Sequence, residues 1–452
     1  MKAGKGLEAE ALHNVDRPRI KGVNIESRLD DVVELQRSQG PVSPQECLPP
    51  EILGNAFLYC LDGQPVPVPP RSPVSMPWVL GHVCTRWRDV CLAEPGIWEN
   101  ISLQSVQFYP ALAMEEALRR NRSKNIRLCP IPYWFSQDIL PTLQLNCETI
   151  KSIENFRVTW KSTDFLSLIP SFTNLEYLGI SFLYQLSPTS HFPGFSASPA
   201  LREIALLPSA CILRGRLIDS KDTMWDRLTS LHLAPSFRLP PSTILTILRR
   251  CKVLAHLSVG LGSEISNAEM AHAVCPAIQS IRVVSQYSTP GIFFSYITLP
   301  SLRSFEIDRG EWQVWPQQEI LSFLCRSSCP LTKLHVRFRI PVECVVPILR
   351  TLPMQTVEDF AVVTDRALAD EDAGVIVYDN LFPRVTCLSC SFSSSVVALR
   401  LLKFSWSRNR STGIQSGKIK IALSDGVAGE EELGVLQQNI FQMGIDVIVS
   451  AL

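Results

Sequence analysis

The sequence contains little charge and no long apolar run. Only 19% of its 452 residues are charged, and the 43 basic and 43 acidic residues cancel. A neutral chain lacks the long-range field that attracts nucleic acid or an anionic membrane, so neither is an expected partner. No stretch approaches the ~18 uninterrupted apolar residues that cross a bilayer, and the first residues, MKAGKGLEAEALH, lack the apolar core of a secretory signal. We therefore expect an intracellular protein, in the cytoplasm, the nucleus or both.

The common signatures of catalysis are also missing. The strings HExxH, GxxxxGK[ST], GxSxG and GxGxxG do not occur, which leaves no motif for a zinc hydrolase, a phosphate loop or a hydrolase nucleophile. The single CxxC, from Cys387 to Cys390, has no second pair and no nearby histidine, so we interpret it as two strand residues and not as a metal site. The sequence predicts no enzyme, no catalytic residue, no metal and no cofactor.

The 14 cysteines lie mostly inside apolar runs such as FLYCL, AVCPAI and SFLCRS. A free cysteine behaves as a small buried hydrophobe, and this pattern is typical of a reducing compartment. Hydrophobic residues make up 46% of the chain, an ordinary share for a globular protein. The length is about three times the ~150 residues of one domain, so a single core is expected only if the fold repeats.

A repeat does run through most of the chain. Its unit is a six-residue window with apolar residues at positions 1, 4 and 6, and the windows recur every 22 to 29 residues, about 26 on average. The windows are IENFRV from Ile153, LEYLGI from Leu175, LREIAL from Leu201, LTSLHL from Leu228, LAHLSV from Leu254, IQSIRV from Ile278, LRSFEI from Leu302, LTKLHV from Leu331, VEDFAV from Val357 and VTCLSC from Val385.

Helix-like segments separate several of these windows. They are STILTILRRCKV, SNAEMAHAVCPAI, PQQEILSFLCRSSCP and PVECVVPILRTL. One strand and one helix in about 26 residues is the unit of the leucine-rich repeat. The predicted fold is therefore α/β, an irregular leucine-rich-repeat solenoid with parallel strands on the concave face and helices on the convex face. WENISL and SKNIRL are candidate first rungs, KIKIAL a late one, and a capping helix and a final strand follow it.

The segment before the repeats has a different pattern. Residues 1–43 are polar and predict partial disorder with one short helix. Apolar residues in LPPEILGNAFLYCL, 48–61, fall on one face of a helix, and a second apolar stripe from Val79 to Cys91 predicts another helix that stops by Pro95-Gly96. Six prolines between Asp62 and Pro77 make the connection an extended loop.

These two helices resemble the F-box. LPPEIL opens the segment, Phe57 and Leu61 continue its first helix, VCTRWRDV at 83–90 fits the second, and Trp98 follows. An F-box that leads into irregular leucine-rich repeats is similar to a large class of fungal F-box proteins, over essentially residues 48–452. The proline-rich insertion at 62–77 departs from the family pattern, and the repeats lack the asparagine ladder of regular leucine-rich repeats.

The resemblance implies a role in ubiquitin transfer. In that family the F-box docks on the small adaptor subunit that links it to a cullin, and the repeats hold the substrate. The adaptor-binding residues that it implies here are Leu48, Pro49, Ile52, Leu53, Phe57, Val83, Cys84 and Trp87. Two helices of about 12 residues do not bury all these apolar side chains against each other, which leaves surface for a partner. The alternative is that they pack on the first repeat.

Strand alternation predicts which side chains face the concave surface. If positions 1, 4 and 6 of each window are buried, positions 3, 5 and 7 point outward. The outward set is Asn155, Arg157, Thr159, Tyr177, His232, His256, Arg282, Glu306, Asp308, Lys333, His335 and Arg337. The charged rungs from Arg282 to Arg337 are the candidate substrate site, since adjacent acidic and basic rungs suit a partner of mixed charge; the alternative is an ordinary solvated strand face.

The sequence therefore predicts the substrate-recognition adaptor of an SCF-type (cullin-RING) ubiquitin ligase. Its parts are a polar segment, 1–43, an F-box, 44–103, and a leucine-rich-repeat substrate-binding domain with a C-terminal cap, 104–452. The partners are the adaptor subunit, through it a cullin, and an unknown protein substrate. One alternative is a scaffold, built on the same repeats, that directs no ubiquitylation. Another is a repeat protein whose likeness to the F-box is accidental.

Overall fold

A computed structural model gives the fold for most of the chain. The described residues are 48–68, 76–102, 110–121, 126–129, 140–158, 168–182, 198–207, 223–235, 239–262, 270–285, 290–308, 315–364, 369–378, 387–392, 418–423, 438 and 446–451. The chain divides into two compact units, Met1–Ala56 and Phe57–Leu452. The predicted disorder and helix of residues 1–43 and the predicted capping helix lie outside the described residues, except for the helical residue Gln438.

Ten α-helices are described. They are α1 Pro50–Leu61, α2 Trp78–Gly81, α3 Thr85–Ala93, α4 Pro110–Arg120, α5 Leu140–Leu145, α6 Pro241–Arg250, α7 Gly291–Ser295, α8 Gln317–Ser327, α9 Val345–Leu349 and α10 Asp370–Tyr378. Short 3₁₀ helices add single turns, among them Pro95–Trp98 and Val342–Cys344. Among the described residues, no helix combines the length and the apolar character needed to span a membrane.

The strands are short and evenly spaced along the chain. They are β1 Val66–Pro67, β2 Asn100–Ser102, β3 Ile126–Cys129, β4 Ile150–Val158, β5 Tyr177–Phe182, β6 Glu203–Leu207, β7 Ser230–Leu233, β8 His256–Leu261, β9 Ala273–Val274, β10 Ser280–Ser285, β11 Ile297–Thr298, β12 Ser304–Asp308, β13 Lys333–Ile340, β14 Asp359–Thr364, β15 Cys387–Phe392, β16 Lys418–Leu423 and β17 Asp446–Ala451.

One parallel sheet organises the second unit. Fifteen of the described strands, all except β9 and β11, lie side by side in the order of the sequence. Each pair of neighbours is parallel, for example β8 with β10 and β10 with β12. Parallel neighbours need a crossover between them, and here each crossover leads to the adjacent strand, so the chain advances by one rung per repeat. This is an α/β arrangement of solenoid type, in agreement with the fold class that the sequence predicts.

The apolar window positions form the core. In the eight windows from Leu175 to Val362, all 24 residues at positions 1, 4 and 6 are at most 4% exposed. Burial of one such aliphatic side chain stabilises the fold by roughly 1.5–3 kcal/mol. On the helix side of the sheet, Phe305 of β12 contacts Phe294 of α7 and Phe323 of α8, with ring centroids 5.5 Å apart in both pairs. The repeat pattern in the sequence is therefore the pattern of the core.

The first window is the exception. The sequence pattern aligns Ile153 with Leu175, whereas in the sheet Ile153 pairs with Leu178, and a register shift follows before Phe156 pairs with Ile180. The window therefore begins at Ile150, three residues earlier than predicted. Strand β4 has a register shift after Ile153, so its later apolar residues pair with different partners from those of a regular strand. The apolar pattern that starts at Ile153 therefore resembles a repeat window although its register is wrong.

Several predicted elements are confirmed by the structure. The helix of 48–61 is α1, STILTILRRCKV overlaps α6, PQQEILSFLCRSSCP contains α8, and the early and late rungs are β2, β3 and β16. Cys387 and Cys390 both lie in strand β15, as expected.

Two predicted helices are corrected. The stripe from Val79 to Cys91 is not one helix but α2 and α3, because Cys84 is extended and its sulfur caps α3 by accepting a hydrogen bond from the Trp87 amide. The described part of SNAEMAHAVCPAI, 270–278, contains no helix, and its Ala273–Val274 is strand β9. Its Ala273 amide donates to the Tyr296 carbonyl of the next rung, which replaces a hydrogen bond within a helix.

Candidate functional site

The first unit carries the opening of α1. The carbonyl of Pro49 accepts hydrogen bonds from the amides of Ile52 and Leu53, both at 3.1 Å. Pro50 suits the first helical position because it has no amide to satisfy, and Glu51 faces the positive end of the helix dipole. Ile52 is 52% exposed, whereas Leu53 is 2% exposed. Leu48 and Pro49 are exposed too, so three of the four predicted adaptor-binding residues in this unit are accessible.

The second unit holds the other four predicted residues. The rings of Phe57 and Trp87 pack against each other, with centroids 5.1 Å apart. Phe57 is buried, Cys84 and Trp87 are half-buried, and Val83 is 54% exposed in the break between α2 and α3. The indole N–H of Trp87 is buried and has no hydrogen-bond partner among the described residues. Leu53 and Phe57 are both buried in this conformation, whereas the sequence predicts that they contact a partner directly.

Trp98 fixes α3 to the first rungs. Its indole N–H donates to the Cys91 carbonyl at 3.1 Å, its ring stands edge-on to Trp78 at 5.6 Å, and the Arg120 guanidinium lies 4.6 Å from the ring centroid. The Asn121 side chain donates to the Trp98 carbonyl at 3.0 Å. A cation over an indole face adds an electrostatic attraction to the stabilisation that comes from burying the ring. These contacts tie the segment that resembles the second F-box helix to α4 and strand β2.

The loop that contains the proline-rich insertion also contributes to the sheet. Val66 and Pro67, the described strand within it, pair with Ile101 and Ser102 of β2. The indole N–H of Trp78 donates to the Pro67 carbonyl at 2.9 Å. Within the described part of the connection, Val66–Pro67 is extended, as the prolines predict, and forms the edge strand β1, whereas Asp62 and Gly63 form a turn with positive φ.

The charged rungs lie next to each other on the polar face of the sheet, the face whose side chains alternate with the buried ones. Arg282, Glu306 and His335 occupy equivalent positions on β10, β12 and β13. Lys333 and Asp359 are likewise paired on β13 and β14. The structure therefore brings the predicted substrate-binding residues together, as strand alternation requires.

These charges pair mainly with one another. Lys333 Nζ lies 2.6 Å from Glu306 Oε1, and Arg337 lies 3.7 Å from the other oxygen of the same carboxylate. Arg282 pairs with Asp308, and His335 Nε2 lies 2.9 Å from Asp359 Oδ1. The acidic and basic rungs thus neutralise each other within the sheet. A charged partner would have to compete with these pairs for the same side chains, and the binding of a substrate by these residues stays a prediction.

The ionisation of Glu306 reflects this arrangement. Burial raises the pKa of its carboxyl, but the hydrogen bond and charge of Lys333, together with the charges of Arg337 and His335, outweigh burial and hold the pKa below its usual value. Burial, and then the charge of Arg282, lower the pKa of His232 on β7. Glu306 is therefore ionised and His232 neutral at pH 7.

The prediction of buried free cysteines is confirmed only in part among the described residues. Cys91, Cys251, Cys275, Cys329 and Cys344 are free and buried, whereas Cys60 in FLYCL and Cys325 in SFLCRS are free but exposed. Burial raises the pKa of Cys251 to about 12 and that of Cys91 to about 11, which keeps both as unreactive thiols. Within the described part of the chain, no group of three or more histidine, cysteine or acidic side chains is placed to hold a metal ion.

Sequence reasoning missed two features of the polar face. Asp359, which lies beside His335, occupies position 3 of the VEDFAV window. The alternation rule, applied to that window, predicts that its side chain faces outward. The outward-facing residues of strand β4 were assigned wrongly, because the first window was placed three residues too late. With the window moved to Ile150, the outward positions include Ser152 in place of Asn155, and Ser152 pairs with Arg127 and Tyr177.

The chain matches no protein-family profile, and no curated protein is detectably similar to it. The likeness to the F-box and to leucine-rich repeats therefore depends on the residues and contacts described above.

Proposed function

We propose that this protein is the substrate-recognition adaptor of an SCF-type ubiquitin ligase. Residues 44–103 act as the F-box and dock on the small adaptor subunit, and the repeats that follow hold the target protein. No catalytic residue of its own is needed, because the complex works by proximity: a bound target has a high effective concentration beside the transfer machinery.

The observation that carries the proposal is apolar exposure at F-box-like positions. Ile52 in the first unit and Val83 in the second are each more than half exposed. Burial of a fully exposed aliphatic side chain gains roughly 1.5–3 kcal/mol, and these half-exposed side chains would gain part of it in a partner groove. Other aliphatic side chains, such as Leu145, are at least as exposed, so it is the combination of exposure with an F-box-like position that favours a partner. Ile52 and Val83 stand in the segments, LPPEIL and VCTRWRDV, that resemble the family.

The sheet supports the second half of the proposal. Its strands stack in sequence order, and Trp98 joins the segment before them to the first rungs. A stack of this kind presents one extended polar face, which is the usual binding surface of repeat proteins.

Reconstitution tests the proposal against the scaffold alternative. Proteins that co-purify with the full chain from cell extract are mixed with the purified chain, adaptor subunit, cullin, RING subunit and ubiquitin-charging enzymes. The proposal predicts that a captured protein is ubiquitylated, and that omitting the chain abolishes the modification. If the chain binds the adaptor and captures the protein but modification does not depend on it, the protein is a scaffold.

A further inference from the structure

A polar cavity of about 640 Å³ opens at the amino-terminal ends of strands β3 to β7. Four glutamates and three basic residues line it, together with one aromatic side chain, Tyr177. It lies outside the charged rungs from Arg282 to Arg337 that the sequence favours. We call it the amino-edge cavity.

Strand register places an aromatic ring in the middle of this cavity. Ser152 of β4, Tyr177 of β5 and Glu203 of β6 are paired in one row across the sheet. Neighbouring strands are about 4.8 Å apart, so the Glu203 carboxylate lies beside the Tyr177 ring. Glu154, two residues beyond Ser152 on β4, lies on the other side.

Two of the seven charged residues of the cavity form an ion pair at its rim. Lys151 Nζ lies 3.4 Å from Glu176 Oε1. The Arg202 guanidinium is turned to the backbone, where it donates to the carbonyls of Pro199 and Leu201 at 3.2 and 3.3 Å. Among the described residues, Glu203 forms no ion pair. The charges that act on the Tyr177 ring are the carboxylates of Glu154 and Glu203, whereas Arg127 lies two strands away in the same row, beyond Ser152.

The pKa of the Tyr177 phenol also reflects the two nearby carboxylates. Burial, and then the charges of Glu154 and Glu203, raise the pKa of Tyr177, so the ring stays neutral and its face stays available to a cation. A neutral aromatic face flanked by carboxylates attracts a guanidinium or an ammonium group through cation–π and ion-pair contacts together. An anionic group, such as a phosphate, would meet repulsion from both glutamates.

We propose that the amino-edge cavity binds an arginine or lysine side chain of the target protein, with its cation against the Tyr177 ring and paired with Glu203. Glu154 adds negative charge from the neighbouring strand. The proposal deepens the proposed function, on which it rests, by assigning the target a cationic contact residue and by moving the target-binding surface from β10–β13 to β3–β7.

Peptide binding to the full-length chain tests the proposal. Three fluorescein-labelled glycine–serine peptides of equal length carry two arginines, two citrullines or two glutamates, and fluorescence anisotropy measures their dissociation constants. Citrulline keeps the shape of arginine but has no charge. We expect the arginine peptide to bind about tenfold more tightly than the citrulline peptide, a difference of about 1.4 kcal/mol, and the glutamate peptide to bind least.

Matched variants locate the contact. Glu203→Gln should weaken binding of the arginine peptide about tenfold, whereas Glu148→Gln, an equal change of charge at an exposed residue that does not line the cavity, should leave it unchanged. Tyr177→Phe keeps the ring and should retain binding, and Tyr177→Leu should lose it. Thermal midpoints of the variants confirm that each is folded.

Equal affinities for the arginine and citrulline peptides, no binding of the arginine peptide, or equal effects of Glu203→Gln and Glu148→Gln would overturn the proposal. Adaptor binding is measured on the same preparations. A wild-type chain that binds the adaptor but not the arginine peptide contradicts only the cavity, whereas one that binds the peptide but not the adaptor contradicts only the proposed function.

Discussion

Lys333 of β13 reaches across to β12, where its Nζ lies 2.6 Å from Oε1 of Glu306. The two residues are 27 positions apart in the sequence, one repeat, and their strands pair in register. The carboxylate is only 16% exposed, so solvent screens this pair less than a pair on an open surface. Lys333 and Glu306, which the sequence predicts to bind the target, therefore form an ion pair that joins two neighbouring rungs.

A double-mutant cycle measures that cohesion. Glu306→Gln and Lys333→Met remove the charges without placing like charges together, and the cycle should give a coupling free energy of about 1 kcal/mol from thermal or urea unfolding. The same cycle with Arg337→Met should give a smaller coupling, because Arg337 lies 3.7 Å from Glu306 and is more exposed. Additive effects in the Lys333 cycle would show that the pair contributes nothing.

The stability that Glu306 contributes should depend on pH. Because its pKa is lower in the folded chain than the ordinary value of 4.5, the contribution is fully present above about pH 4.5 and is lost as the pH falls through the folded pKa. The difference in thermal midpoint between the wild type and Glu306→Gln should therefore shrink below about pH 4.5. A difference that stays constant from pH 7 to pH 3 would contradict the depressed pKa.

Trp87 and Trp98, which both fit the resemblance to the F-box, should differ in their tolerance of phenylalanine. Trp98→Phe removes the hydrogen bond to the buried Cys91 carbonyl and part of the contact with Arg120, and it should cost about 2–4 kcal/mol. Trp87→Phe should cost about 1 kcal/mol or less, because its indole N–H has no partner among the described residues. Chemical denaturation compares them, and an equal loss would contradict the contacts described for Trp98.

Two glycines form another matched pair. A Cβ at Gly260 in β8 would lie 2.5 Å from the Pro235 Cα, so Gly260→Ala should destabilise the chain by about 1–3 kcal/mol. A Cβ at Gly374, in helix α10, would have no atom within 4 Å, and Gly374→Ala should stabilise the helix by roughly 0.5–1 kcal/mol. Thermal midpoints that move in the same direction for both variants would contradict this packing of β8.

The repeat was predictable because it is a property of single residues. Burial of the apolar residues at positions 1, 4 and 6 of each rung leaves a period in the sequence, and nine of the ten windows, including that of Leu175, have the register that the sheet shows. The window at Ile153 failed because a register shift inside β4 is invisible in a pattern of apolar residues. The break at Cys84 was missed for a similar reason, since its sulfur acts as a helix cap although the apolar stripe continues.

The candidate sites were less predictable than the repeat, because they depend on which side chains of neighbouring strands come into contact. Alternation placed Glu306 and Lys333 on the polar face, but it did not reveal that their charges cancel, which requires the register of β12 and β13. The amino-edge cavity arises from five successive rungs, and the shifted first window hid Ser152 and Lys151. Exposure of Ile52 and burial of Leu53, next to each other in one helix, likewise needed coordinates.

Direct binding to the adaptor subunit tests the central claim. By isothermal titration calorimetry, the purified full-length chain should bind the purified adaptor, and Ile52→Asp and Val83→Asp should each weaken binding at least about tenfold, because an aspartate would bury an unpaired charge in an apolar contact. Leu145→Asp, an equally drastic change at a residue that is 86% exposed on α5, should bind like the wild type. Absence of wild-type binding, or equal binding by all three variants, would contradict the assignment of this chain as an adaptor of a cullin-RING ubiquitin ligase.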